Sequence, residues 1–413
     1  MDILILHRIP YDRIQYHRGI DHAAHRVTYI GKAEALANLP HDLPCTRVAR
    51  AGLQSTYEEV CAWLAQQSSV FDRIVSMSEY ELLDAARLRQ RFNVPGASVE
   101  QVALVRNKVL MKGAVSRAGL RVPDFLPLQT FLDDHRSARW RGKTVLKPHS
   151  GASSVDISVF DTPAHAWHVI RQQIKNGSLA NSQDYQVEAF IHGPIHHYDG
   201  LVRNGRILAL TSSRYIGTCL AYMDRARPLG SYQLTTTACT HAWVSRVLDA
   251  VALREGSFHL EAIIDNGQPV FLEVGNRVGG ADVVTTFELA TGLHLPSLEL
   301  RIHVGELDDE RFPQTVASPS SFGWFVFPGH GQAHALYAGL SGARPFRDSP
   351  NIIQWHELPK GAPLPGHVTY SAHEAPLTGI IETASPALTR QWIEALFDSV
   401  SLRTHAPTTQ SVA

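Results

Sequence analysis

Cysteine is scarce in this sequence, and neither sign of charge predominates. Four cysteines (Cys45, Cys61, Cys219 and Cys239) lie far apart in 413 residues with no C-x-x-C pair, which argues against a disulfide framework and a structural zinc site. They read as small buried apolar residues of a reducing compartment. Basic and acidic side chains number 38 and 39, so no field would gather nucleic acid or an anionic membrane. Long hydrophobic runs are also missing. The opening run Ile3–Leu6 stops at His7-Arg8, too short for a signal-peptide core or a membrane span, and reads as the first strand of a cytoplasmic protein. The sequence contains no G-x-x-x-x-G-K-[ST], H-E-x-x-H or G-x-S-x-G, and Gly329-His330-Gly331 lacks the third glycine of a dinucleotide fingerprint. P-loop ATPases, zinc proteases and serine hydrolases are thereby demoted.

What is present is an ordinary globular composition, 44% hydrophobic and 19% charged, with a length that suggests about three domains or two with a large insertion. Residues 1–97 alternate short apolar runs (Ile3–Leu6, Val27–Ile30, Ile74–Val75) with helical patterns around Tyr57–Ala65 and Tyr80–Arg91. That alternation predicts an α/β domain with an open parallel sheet. A second unit, 98–305, opens with Ser98 and Gln101 at capping-box spacing before a helix that Gly119 and Pro123 close. Strands follow at Thr144–Lys147, Val155–Phe160, Tyr185–Ile191 and Tyr198–Arg203, the last joined by Asn204-Gly205 to Arg206–Leu210, a strong hairpin signal. The polar stretch Glu306–Ser321 marks a boundary. Residues 306–403 form an α+β segment with a terminal helix over Pro386–Val400, and a loose tail begins at Thr404.

Chemistry concentrates in a second hairpin. In Phe258-His259-Leu260-Glu261 and Phe271-Leu272-Glu273-Val274 a carboxylate interrupts each apolar strand, where an ionised group is costly unless paired or metal-bound. A three-residue loop Asp265-Asn266-Gly267 would put both glutamates on one face as diagonal neighbours. Two carboxylates so placed repel unless a cation lies between them, and hard oxygen ligands suit magnesium shared with a phosphate; separate salt bridges are the alternative. Arg277, four residues past Glu273 in the turn Gly275-Asn276-Arg277-Val278-Gly279-Gly280, could reach a transferring phosphoryl group or a substrate carboxylate bidentately. Lys147 ends a strand before the small-residue loop His149–Ser154, whose N–H groups could cradle phosphates. The histidines His192, His196 and His197 could be proposed as a metal site, but histidines in one strand need acidic or sulfur partners, and a structural role is favoured.

Taken in order, these pieces resemble the ATP-grasp superfamily of carboxylate–amine ligases, most nearly the L-amino-acid (dipeptide) ligase type. The resemblance runs from the first strand to about residue 400 and is carried by Arg106-Asn107-Lys108 through Pro123, Val145-Leu146-Lys147-Pro148, Val187–Gly193, and Phe258–Glu261 with Phe271–Gly280. It implies two lobes clamping ATP, formed by residues 98–305, with residues 306–403 completing the catalytic lobe. Lys108 and Lys147 would contact the nucleotide, Lys147 also serving the phosphoryl transfer, while the loop with Ser153 and Ser154 would close over the phosphates. Glu188 and the backbone around Phe190 would read the adenine. Glu261 and Glu273 would hold magnesium, with manganese as an alternative ion, and Arg277 would stabilise the acyl phosphate. Two departures stand out: Gly275 replaces the asparagine of the usual E-x-N-x-R and displaces it to Asn276 as the third metal ligand, and Ile195 stands where many relatives place a ribose-binding glutamate, leaving His196, a neighbour or the backbone alone to hold the ribose. Arg214, Tyr215, Gly279 and Gly280 would shape the pockets for a small carboxylate and an amine. The resemblance implies an ADP-forming ligase, with a ligase for non-amino-acid carboxylates and a catalytically silent nucleotide-binding module as rivals. It involves no nucleic acid and no membrane, and leaves a homodimer open.

Overall fold

The computed structural model describes residues 1–67, 70–151, 155–179, 181–307, 312–313 and 318–406. Strands β1 (Asp2–Leu6), β2 (Arg26–Gly31), β3 (Thr46–Ala49) and β4 (Arg73–Ser76) form a parallel sheet in the order β3-β2-β1-β4. Ile3, Leu4 and Ile5 are fully buried because helices cover both faces of a parallel sheet, and such strands carry near-continuous apolar runs. The expected helices are there, at Thr56–Leu64 and Leu82–Phe92. The edge strand β3 has no such run: its two threonine and arginine positions face solvent, which hides it from a hydrophobicity reading.

The Ser98–Gln101 capping box forms, but the helix it opens is not continuous. It ends at Arg106, Asn107 is extended, and a second helix runs Lys108–Arg117 with the Asn107 side chain accepting from the N–H groups of Val109 and Leu110 at 2.9 and 3.2 Å. A small antiparallel sheet follows: β5 (Phe125–Pro127), β6 (Thr144–Pro148), β7 (Ser158–Phe160) and β8 (Tyr185–Ala189), in the order β5-β8-β6-β7. β7 is shorter than expected. Asp156 has φ +57°, and a left-handed residue interrupts an extended run.

The large antiparallel sheet comprises β9 (Ile195–Arg203), β10 (Arg206–Ile216), β11 (Leu229–Leu234), β12 (Gly256–Asp265), β13 (Gln268–Gly275) and β14 (Ser321–Phe327). β15 (Leu336–Ser341) lies outside it, and β16 (Ile352–Glu357) and β17 (Leu377–Thr383) complete it in the order β13-β12-β9-β10-β11-β14-β17-β16. The C-terminal segment therefore continues the sheet that carries the glutamate hairpin. β18 (Ser401–His405) pairs with β15, so the backbone stays in register through Thr404 and His405, where a loose tail was expected. Among the described residues no helix is long and apolar enough to cross a membrane.

The glutamate hairpin corrects its expected register. Asp265 pairs with Gln268, so the loop has two residues, Asn266 and Gly267, at φ +50° and +76°. That is the left-handed pair a tight hairpin turn requires. A regular ladder from this turn would set Glu261 opposite Leu272 and drive the glutamates apart. Instead Leu272 is an extra residue, a β-bulge, and Glu261 pairs directly with Glu273.

Candidate active site

Two cavities meet at this glutamate pair. The first, about 310 Å³, lies between the small sheet and the hairpin and is lined by Lys108, Lys147, Glu188, Phe190, Glu261 and Glu273 among others. Its walls are largely apolar: Val145, Val159, Ile195, Ile263 and the bulged Leu272 would sandwich a flat ring. The second, about 370 Å³, is lined by Glu261 and Glu273 again, with Arg277, Gly280, Tyr215, His259, Trp324 and Tyr370, and by Arg8, Glu79 and Tyr80 of the N-terminal domain.

Each glutamate is held from behind. The Tyr215 hydroxyl donates to Glu261 Oε1 at 3.0 Å, and His259 Nε2 lies 3.3 Å from the same atom. Lys108 Nζ sits 3.1 Å from Glu273 Oε2 and donates to the Gly151 carbonyl at 3.0 Å. Burial alone would raise the Glu273 pKa, but Lys108 and Lys147 outweigh it and pull the carboxyl down to about 2. Both carboxylates face the junction of the cavities, and a pair of hard oxygen donors at this point fits a magnesium ion shared with a phosphate.

The first cavity has a charged floor that the sequence did not reveal. Glu188 is buried between two lysines: Lys147 Nζ at 2.7 Å from Oε1 and Lys112 Nζ at 2.9 Å from Oε2. Lys112, one helical turn past Lys108, has no exposure at all. Both Glu188 oxygens are thus engaged by lysines, and Phe190 lines the same cavity. Burial, which opposes charge, is again outweighed, and the lysines hold the Glu188 carboxyl below its usual range.

Several expected residues lie elsewhere. Along a strand successive side chains alternate faces, so Asn276 leaves the face of Glu273 and Arg277; its amide donates to the carbonyls of Ser257 (2.8 Å) and Glu255 (3.2 Å). It is not brought to the metal position. His196 and Arg214 are cross-strand partners on β9 and β10, on the face opposite Ile195 and Tyr215, and neither lines either cavity. Burial and the Arg214 charge push the His196 pKa down to about 4. Of the two glycines, Gly280 lines the second cavity, while Gly279 backs onto Val283 and Asp199, where a Cβ would come within 2.9 Å of the carboxylate. Ser153 and Ser154 lie outside the described residues.

Two further groups escaped the sequence reading. Glu79 accepts ion pairs from both Arg277 Nε and Arg106, and the Arg277 NH1 also donates to the Val278 carbonyl at 2.7 Å; nothing in sequence links positions 79 and 277. Asp199, on β9 beside β12, bridges His197 Nδ1 (2.6 Å) and His259 Nδ1 (2.7 Å), and His197 Nε2 reaches the Ser231 hydroxyl at 2.6 Å. Burial opposes charge on His259, but Asp199 and Glu261 outweigh it and hold the imidazole up at about 9. The alternation of His197, Asp199 and His259 on facing strands was the available signal.

A small antiparallel sheet folded over a large one, with lysines and paired carboxylates between them and a parallel α/β domain at the open side, is the ATP-grasp fold. The comparisons agree. The chain is 26% identical over 267 residues to the L-arginine-specific L-amino acid ligase of Bacillus subtilis, a stretch covering 62% of this chain and 63% of that protein, so the match spans just under two thirds of that relative. The crystal structure of an L-amino acid ligase from Bacillus licheniformis superposes with a TM-score of 0.73 at 18% identity, covering 97% of this chain and 98% of that one. The biotin carboxylase domain of the Hydrogenobacter thermophilus 2-oxoglutarate carboxylase, solved with MgADP and bicarbonate, gives 0.65 at 13% identity over 98% and 90%. No family model matches the chain.

Proposed function

We propose that the chain is an ATP-dependent, ADP-forming carboxylate–amine ligase that makes an amide or peptide bond through an acyl phosphate, with amino acids or other small carboxylates as substrates. The carrying observation is that two cavities meet at one glutamate pair: one suited to a nucleotide, the other reaching three parts of the chain. The likeness to L-amino acid ligases supports the same reading. The cytoplasm is the natural compartment, since ATP is there and the four cysteines are free thiols.

In this reading the adenine lies between Val145, Phe190 and Leu272, and Lys108 and Lys147 take the phosphates. Glu261 and Glu273 would hold magnesium, which supplies charge neutralisation for the phosphate tail. The donor carboxylate oxygen bonds to the γ-phosphorus, the bond to the β–γ bridging oxygen breaks, and ADP leaves. The amine nitrogen then attacks the acyl carbon, the C–O bond to phosphate breaks, and inorganic phosphate departs with the amine's proton. Arg277, oriented by Glu79, faces the negative charge that builds in both steps. Such chemistry needs positioning and charge stabilisation rather than a dedicated nucleophile.

The test is hydroxylamine trapping with ATP, magnesium and a panel of L-amino acids and other carboxylic acids. The proposal predicts ADP release and a hydroxamate whose mass identifies the donor. ATP binding without ADP release from any acid would instead support a silent nucleotide-binding module.

A further inference from the structure

We infer that Asp199 is a positioning residue for the ligation: it braces both groups that hold Glu261 Oε1, and so presents Oε2 to the junction of the cavities, where the metal would bind. This rests on the ligase reading above. The first ground is register. Between β9 and β12, Asp199 pairs with His259 and His197 with Glu261, and between β10 and β11 Tyr215 pairs with Ser231. Alternation along a strand then puts His197 with Asp199, and His259 with Glu261, on one face of the sheet. Asp199 is 1% exposed and lines neither cavity, so it acts only through its neighbours.

The second ground is connectivity, since Asp199 reaches Glu261 by two routes. In one, Asp199 Oδ1 accepts from His259 Nδ1 at 2.7 Å, and His259 Nε2 lies 3.3 Å from Glu261 Oε1. In the other, Asp199 Oδ2 accepts from His197 Nδ1 at 2.6 Å, and the His197 ring stacks on Tyr215 with centroids 4.5 Å apart. The Tyr215 hydroxyl then donates to the same Glu261 Oε1 at 3.0 Å. His197 Nε2, 2.6 Å from the Ser231 hydroxyl, fixes the far side of that ring. Both routes end on Oε1, whereas Glu261 Oε2 makes no hydrogen bond or ion pair among the described residues, and Glu261 lines both cavities. A carboxylate gripped by one oxygen holds the other in a set direction, which is how groups behind a ligand tune a metal site. The same Asp199 carboxylate backs the Arg277 turn, where a Cβ at Gly279 would come within 2.9 Å of it.

The experiment titrates Mn²⁺ into the full chain with ADP present and reads the free ion by electron paramagnetic resonance, with ADP binding in EDTA measured alongside by calorimetry. Asp199→Asn keeps the shape but can accept from only one imidazole. Mn²⁺ affinity should weaken on the order of 10- to 100-fold, the range for groups behind a metal ligand, with ADP binding in EDTA nearly unchanged. His197→Gln, which removes the ring stacked on Tyr215, should weaken Mn²⁺ binding less, and it carries the test if Asp199→Asn does not fold. Added to His259→Gln, Asp199→Asn should cost less than it does alone, because one of its two routes is already cut. Unchanged Mn²⁺ affinity in the folded variants, or equal losses for Mn²⁺ and for ADP in EDTA, would overturn the assignment. So would loss of a second bound ion in Asp199→Asn, since His197, Asp199 and His259 would then be a metal site of their own. Failure of the ligase reading shows separately, in a wild type that takes up no Mn²⁺ with ADP.

Discussion

Glu273 carries two loads at once, an ion pair to Lys108 and a place at the junction of the cavities. Glu273→Gln keeps size and hydrogen bonding but removes the charge. Turnover should fall by at least about 10²-fold, in the range for losing one charge-stabilising group, while melting changes little, because Lys108 keeps the Gly151 carbonyl as partner. Steady-state kinetics and thermal denaturation on one preparation check this; a variant that melts markedly lower yet stays active would make Glu273 a structural ion-pair residue. At this scale the sequence showed carboxylates in apolar strands and a lysine before a small-residue loop, because such placements are costly without a purpose. Lys112 and Glu79 stayed hidden. A lysine in a helix reads as solvated, and its complete burial depends on Glu188 arriving from a strand 76 positions away. Glu79 lies in the first domain, and only tertiary packing brings it to Arg277.

At the scale of elements, the short helix Lys108–Arg117 carries both Lys108 and Lys112, and its start is fixed by the Asn107 cap. Asn107→Ala removes acceptors for two helix N–H groups and should cost about 1 kcal/mol of stability. Because Lys108 is the first helical residue, KM for ATP should rise several-fold more than KM for the carboxylate donor, a split that denaturant titration and initial rates together would expose. Equal changes in both KM values would mean that the cap serves stability alone. The helix break was not legible: the capping box, the apolar spacing and the closing Gly119 all fit one longer helix, which is divided by the side-chain bonds of Asn107 and by the Lys108 N–H donating to the distant His149 carbonyl at 2.8 Å. The hairpin shows the opposite balance. The glutamates were expected on one face as diagonal neighbours across a three-residue loop, but the turn has two residues, which alone would separate them, and the bulge at Leu272 brings them into direct pairing.

Across the whole molecule, several buried histidines oppose protonation. Burial, helped by the nearby charges of Arg214 and Arg18 respectively, pushes His196 and His294 down to about 4, whereas an unfolded histidine titrates near 6.5. Between about pH 6.5 and 4 the unfolded chain therefore binds more protons than the folded one, so stability should fall as pH drops through that window. Denaturation at a series of pH values checks the sign, and the paired change His196→Gln with His294→Gln should flatten the slope. The large-scale architecture was the most legible level, since alternating apolar and helical runs, a polar boundary near residue 306 and the order of the motifs each constrain topology. What could not be read was that β14, β17 and β16 extend the hairpin's own sheet, because strand order is decided by packing between distant segments. If the donor carboxylate attacks ATP directly at the Glu261–Glu273 junction, one of its oxygens must leave with the phosphate. With a donor acid labelled in its carboxylate by ¹⁸O, one labelled oxygen should appear in the inorganic phosphate for each amide bond formed. Phosphate that instead takes its new oxygen from solvent water, in step with product, would contradict direct attack.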